Sequence, residues 1–143
     1  MKLRVVAVGR LREPALRALA DAYLGRIRRY VRCDEVEVKE RRELGGALRR
    51  GATVVALDVA GEEVKSSEFA RLIERWSTAG KGDIVFVLGG AEGLPRPLLG
   101  AAQYRLSLSR LTLPHRLARV FLYEQIYRAF TILRGEPYAR EDG

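Results

Sequence analysis

The sequence predicts an α/β protein built on a mostly parallel sheet. Three observations predict it. Short apolar runs of strand length alternate with amphipathic helical patterns along the chain. The most strand-like run, IVFVL at residues 84 to 88, is apolar at every position and reads as buried. Glycines and prolines fall between the runs, where strands stop and helices start. The length of 143 residues suits one domain, 1–143, and 48% hydrophobic content is enough for a core.

The elements follow in order. Residues 3 to 8 (LRVVAV) form a first strand that Gly9 stops. Pro14 sits where the first turn of a helix tolerates proline, and Leu16, Leu19, Ala20, Tyr23, Leu24 and Ile27 follow at helical spacing. Residues 33 to 39 alternate around Val36 and Val38, the pattern of an edge or half-exposed strand. The charged stretch 40 to 50 reads as a short helix or a loop. Residues 53 to 58 (TVVALD) form a buried strand. Ser66 or Ser67 caps a helix that carries Phe69, Leu72, Ile73 and Trp76 on one face. After the strand at 84 to 88 come a glycine-rich loop, a short helix following Pro97 and a short strand near 104 to 108. Pro114 opens a long helix to about Arg134, and Gly135 stops it.

Composition narrows the function. No apolar run approaches the ~18 residues of a membrane span, and the six-residue apolar stretch near the N-terminus is too short for a signal peptide. The single cysteine, Cys33, leaves no intrachain disulfide and no cysteine-based metal site, which suits a reducing cytoplasm. The net charge is +8, and only four of the 26 cations are lysines. Arginine forks match phosphate geometry and stack on bases, so the bias suits RNA; surplus positive charge also serves solubility.

In open α/β sheets ligands bind beyond the carboxyl ends of strands. Three such ends carry unusual sequence: 57 to 61, 89 to 94 and 107 to 115. GGAEGL at 89 to 94 follows a buried strand. Its spacing is neither the dinucleotide fingerprint nor a phosphate loop. It is a tight turn or a place where backbone approaches a ligand. SLSRLTLPH at 107 to 115 is apolar and hydroxyl-rich, and is expected to pack inward. Its leucines suit an adenine ring read by backbone groups; the alternative is a buried crossover without a ligand. His115, the only histidine, makes no metal site and reads as a helix cap or backbone partner before an acid–base group.

The last helix carries Arg119, Tyr123 and Tyr127 four apart, and Glu124 with Arg128 as an i,i+4 pair. These form an ordinary helix ion pair, or a polar patch that binds phosphate and stacks a base. The tail EPYAREDG adds Tyr138 and Arg140, either frayed or pinned over a site. The apolar residues Phe121, Leu122, Ile126, Phe130 and Leu133 exceed what one core face requires and predict a homodimer through this helix.

Together these segments resemble one family. LDVAG at 57 to 61, GGAEGL at 89 to 94, LSLSRLTLPHRLARVFLYEQIYRA at 106 to 129 and PYAR at 137 to 140 stand in the order and spacing of the bacterial-type ribosomal RNA pseudouridine N3-methyltransferases. The resemblance covers roughly residues 53 to 140, and the opening MKLRVVAVG is similar too. It implies a SPOUT fold: a parallel sheet with helices on both faces, a C-terminal trefoil knot, and a homodimer with the site at the interface. It implies methyl transfer from S-adenosylmethionine, leaving S-adenosylhomocysteine, to N3 of a pseudouridine in 23S ribosomal RNA on the assembled ribosome. Metal, membrane and DNA have no part in that expectation. Carried over by position, the cofactor touches Leu57, Gly90, Ser109, Arg110, Leu111, Thr112, Leu113 and Pro114. Catalysis or RNA handling falls to Glu124, Arg128, Tyr138 and Arg140. Three departures stand out. Ala139 occupies the position of the family's tail histidine, Ala91 that of its loop proline, and the chain is short between 39 and 53. Ala139 leaves open an RNA-binding protein that holds the cofactor without transferring methyl. The glycine spacing argues against a doubly wound nucleotide-binding enzyme.

Overall fold

The computed structural model describes residues 1–142, with side chains described through Ala139. Five strands form one parallel sheet: β1 (Lys2–Val8), β2 (Arg32–Val38), β3 (Thr53–Glu62), β4 (Ile84–Leu88) and β5 (Tyr104–Leu106), in spatial order β2-β1-β4-β3-β5. Parallel neighbours need crossovers, which the helices supply. These are α1 (Pro14–Ile27), α2 (Ser66–Ser77), α3 (Arg96–Ala101) and α4 (His115–Leu133). The stretch 40 to 50 becomes two short 3-10 turns, Arg41–Glu43 and Gly45–Ala47.

Both faces of the sheet are covered, unequally. Leu3, Val5, Ile84 and Phe86 point to one face and pack against α1, α2 and α4 through Leu24, Ile27, Phe69, Ile73, Trp76, Leu122, Tyr123 and Ile126. Val6, Ala56, Val85 and Val87 point to the other and meet Leu44, Leu94 and Leu98, with the partly buried Leu48 and Leu99 packed against them. The central β4 is therefore apolar at all five positions, as a strand buried on both faces must be. Cys33 lies in the larger cluster, where burial pushes its thiol up to about 12, so it stays protonated and acts as a core residue.

Some local chemistry differs from the sequence reading. The α2 start is closed by Glu68, whose carboxylate accepts the Lys65 N–H at 3.1 Å. Ser66 instead donates to Gln125 at 2.7 Å, tying α2 to α4. The α4 helix stops as expected, with Gly135 at φ +66, a conformation a β-carbon resists. Among the described residues no helix is long and apolar enough to cross a membrane.

Candidate functional site

The carboxyl ends of β3, β4 and β5 converge on one cavity of about 290 Å³. The sheet shapes it through an irregularity in β3. Leu57 and Glu62 both pair with Leu106, so residues 58–61 bow out of the ladder and carry Asp58 and Val59 to the cavity mouth. Leu88, Leu106 and Leu108 line the apolar side, and His115 and Ala118 of α4 close one end.

The loop after β4 forms a second wall, and its geometry singles out Gly89. Gly90 and Gly93 make an isolated antiparallel bridge, with the Gly93 N–H on the Gly90 carbonyl at 3.0 Å. A β-carbon on Gly89 would stand 2.4 Å from the Gly93 carbonyl group, closer than any side chain tolerates. At Gly90 it would meet only Val8, at 3.6 Å, which is ordinary contact. The turn thus depends on Gly89, although the residue that the resemblance carries over to the cofactor is Gly90.

Of the eight residues carried over for the cofactor, Leu57, Gly90, Ser109, Leu111, Thr112 and Leu113 line this cavity. Arg110 and Pro114 do not. Arg110 turns away to pair with Glu63 at 2.5 Å and to bond the Val59 carbonyl, and Pro114 is the residue before α4. The expected inward packing of 107 to 115 is corrected as well. Only Ser107 is buried, and Leu111 is 79% exposed. The hydroxyls serve the loop itself: Ser109 Oγ accepts the Leu111 N–H at 2.9 Å, and Ser107 donates to the Ser109 carbonyl at 3.2 Å. The sequence reading missed Asp58, Leu88, Leu106, Leu108, His115 and Ala118 as wall residues. The rule that ligands gather at strand carboxyl ends was the signal for the first four. Burial, with Arg116 and Arg119 nearby, holds the His115 imidazole below its usual pKa, so the ring is neutral at pH 7.

A second polar assembly sits near the far end of α4. Glu124 and Arg128 pair at 2.5 Å, with both side chains largely covered. The tail folds back in the 3-10 turn Pro137–Asp142 and brings Tyr138 to them. The Tyr138 hydroxyl donates to Glu124 at 2.8 Å, and the Arg128 guanidinium lies 4.9 Å from the Tyr138 ring centre. The Tyr138 ring also meets Tyr127 edge-on at 4.6 Å. Burial and the bond to Glu124 raise the Tyr138 pKa, so the phenol is a donor and not a base at neutral pH. Three of the four residues expected to act on RNA thus form one cluster. The fourth, the Arg140 side chain, lies outside the described residues.

Arg119 and Tyr123 do not join that cluster, contrary to the shared polar face read from the sequence. Arg119 is 2% exposed. It pairs with Glu37 at 2.5 Å and Glu35 at 3.5 Å, and donates to the Gly9 carbonyl at 2.7 Å. The buried Tyr123 hydroxyl also bonds Glu35. The pair clamps α4 to the edge strand. Leu122, Ile126 and Phe130 likewise belong to the core and Leu133 packs against it, so of the residues assigned to a dimer Phe121 alone is exposed, with the exposed Leu117 one turn before it.

A glycine-walled cavity over the carboxyl ends of a parallel sheet, closed by the start of a long helix, is where open α/β sheets bind their ligands. The family model described as "Predicted SPOUT methyltransferase" matches residues 1–139, and the chain belongs to that family. A curated relative from Sorangium cellulosum, the "Ribosomal RNA large subunit methyltransferase H", is 54% identical over 144 residues, covering 97% of this chain and 99% of its own. The protein of the same name from Anaeromyxobacter dehalogenans is 46% identical over 152 residues, covering 96% and 99%. Among solved structures, a "probable methylase family protein" from Haemophilus influenzae has a TM-score of 0.61 at 13% identity, covering 95% of this chain and 69% of its own. The SpoU methyltransferase AviRb from Streptomyces viridochromogenes, solved with AdoMet, has a TM-score of 0.51 at 13% identity, covering 89% and 57%.

Proposed function

We propose that this protein is an S-adenosylmethionine-dependent methyltransferase that modifies N3 of a pseudouridine in large-subunit ribosomal RNA, working in the cytoplasm as a single-domain homodimer with a C-terminal trefoil knot. The observation that carries the reading is the 290 Å³ cavity, with six of the eight expected cofactor residues in its wall. Its relatives, named for large-subunit RNA methylation, supply the substrate class.

The residues fit the cofactor. Leu57, Leu106, Leu108 and Leu113 offer apolar cover for a purine, and the loop after β4 brings backbone close, a close approach that Gly89 permits. Asp58 places a carboxylate at the mouth, suited to a cationic ligand. When bound there, S-adenosylmethionine supplies an electrophilic methyl group. The neutral His115 adds no charge to compete with a sulfonium. The protein's work is orientation and exclusion of water.

The acceptor machinery is Glu124, Arg128, Tyr138 and Arg140. Arg128 stays cationic, its pKa raised by the bond to Glu124. It can stabilise the anion that forms as the imide loses its N3 proton, which passes to water. Glu124 holds Arg128 and Tyr138 in register through Oε2, which accepts from both.

Within one chain these residues stand apart from the cavity. Glu124 is nine residues beyond His115 on α4, about 14 Å along the axis, and Arg128 about 20 Å. Leu117, Phe121, Glu124 and Arg128 share one stripe of the helix. An antiparallel pairing of two α4 helices about Phe121 sets the cluster of one chain beside the cavity of the other. That supports a homodimer whose site needs both chains.

Ala139 favours a second reading, cofactor binding without transfer. One experiment separates the two. Ribosomes from cells lacking the gene are incubated with the protein and S-adenosylmethionine, and the large-subunit RNA is digested for mass spectrometry. One pseudouridine-containing fragment heavier by a methyl group is the expected result; saturable cofactor binding with no heavier fragment establishes the second reading.

A further inference from the structure

The carboxyl ends of β1 and β2 carry another cavity, of about 490 Å³, to which the methyl-transfer reading gives no role. Gly9, Arg10, Arg12, Glu37, Val38 and Lys39 line it. Arg10, Arg12 and Lys39 are exposed, and none has a hydrogen-bond or ion-pair partner among the described residues. The one carboxylate of the wall is already committed. Glu37 accepts Arg119 at 2.5 Å and the Leu11 N–H at 3.1 Å, with Arg17 at 3.5 Å. Just beyond the cavity the arrangement is the reverse: Arg41 pairs with Glu92 at 3.6 Å and Arg42 with Glu40. The cavity therefore presents three uncompensated cations and a neutralised carboxylate.

Its position adds to its charge. The first turn of α4 separates it from the methyl-donor cavity: His115 and Ala118 line one, while Arg119 bonds the Gly9 carbonyl and Glu37 of the other. Among the described residues no aromatic side chain lines it. It thus offers charge without a stacking platform, which suits backbone contacts that position a strand and leave base recognition elsewhere.

We propose that Arg10, Arg12 and Lys39 hold phosphates of the RNA strand that delivers its base to the adjacent cavity. The inference rests on the RNA methyltransferase reading and adds the path of the substrate.

The test replaces Arg10, Arg12 and Lys39 together by Gln. A control triple, Arg32→Gln, Arg50→Gln and Lys81→Gln, removes equal charge at the amino ends of β2, β3 and β4. Binding to ribosomes and to a large-subunit RNA fragment is measured across a salt series, with methyl transfer measured in parallel. The first triple should lose about tenfold in RNA affinity at 0.15 M salt and flatten the salt slope by about two units. Its KM for ribosomes should rise, with kcat and S-adenosylmethionine affinity within about twofold of wild type. The control triple should stay near wild type. Equal losses in both triples assign the effect to net charge and overturn the proposal, as does an unchanged first triple. Wild-type protein that neither binds nor methylates the RNA brings down the underlying reading and the proposal with it, an outcome visible before any variant is made.

Discussion

The two ends of α4 are built on opposite plans. At its start, the cavity is open and mostly apolar, its polar groups belong largely to backbone and short loops, and Leu111 at its rim is 79% exposed. At its far end, Glu124, Arg128 and Tyr138 are closed on one another, with Glu124 accepting from Gln125, Arg128 and Tyr138. The first region is shaped to receive a molecule. The second holds a preset charge arrangement that a molecule can be brought to. On the proposed reading donor binding and acceptor handling lie apart along one helix, and a second copy paired through the exposed Leu117 and Phe121 would reunite them.

The largest expected effect concerns the clamp that both regions share. Arg119→Ala removes the buried cation from Glu35 and Glu37, leaving them with Arg17 at 2.9 and 3.5 Å, and should cost about 3 kcal/mol of stability. Denaturant unfolding measures it. A loss below about 1 kcal/mol would mean that α4 is held without the clamp. Next, Gly89→Ala should reduce S-adenosylmethionine affinity more than about hundredfold by forcing the loop open, whereas Gly90→Ala should cost much less, since its β-carbon meets only Val8. Calorimetric titration of both variants decides, and equal losses would contradict the geometry. Arg128→Ala should leave cofactor affinity unchanged and reduce methyl transfer about hundredfold, the scale for one positioned charge. If it weakens cofactor binding instead, the two regions are not separate within the chain.

The smallest effect is a pH dependence. The pKa of His115 lies below the usual imidazole value, because of burial and then Arg116 and Arg119. The ring is therefore neutral at pH 7 and gains its proton only in acid. A protonated ring beside a sulfonium repels it, so S-adenosylmethionine affinity should fall a fewfold as the pH drops below the ordinary imidazole range, while the uncharged thioether of S-adenosylhomocysteine should bind nearly as before. His115→Gln should abolish the difference between the two ligands.

Much of the fold was legible because parallel strands are continuous apolar runs and helices are periodic. The inner strands β1, β3 and β4 fall where apolar runs place them, the edge strand β2 where alternation does, and Pro14 and Gly135 mark helix ends as expected. The bowing of 58–61 was not legible, because it depends on Leu57 and Glu62 sharing Leu106 as a partner, a register that sequence does not record. The clamp had a signal that went unread. Glu35 and Glu37 are two apart on a strand and so share a face, and Arg119 and Tyr123 are four apart on a helix. Each pair is ordinary alone; only tertiary packing brings them together and takes Arg119 out of the RNA-facing set. Of the two alternatives for the tail, frayed or pinned, the bond from Tyr138 to Glu124 takes the second and makes the tail part of a packed cluster.

The most direct test of the claim that two regions form one site across two chains mixes two inactive proteins. Gly89→Ala carries an intact Glu124–Arg128–Tyr138 cluster, and Arg128→Ala carries an intact cavity. Each should methylate ribosomes poorly alone. Co-refolded in equal amounts, half of the dimers should be mixed and each should hold one complete site, restoring about a quarter of wild-type transfer. Methyl transfer in the mixture no greater than the average of the two separate variants would contradict the account and place both regions of each site in a single chain.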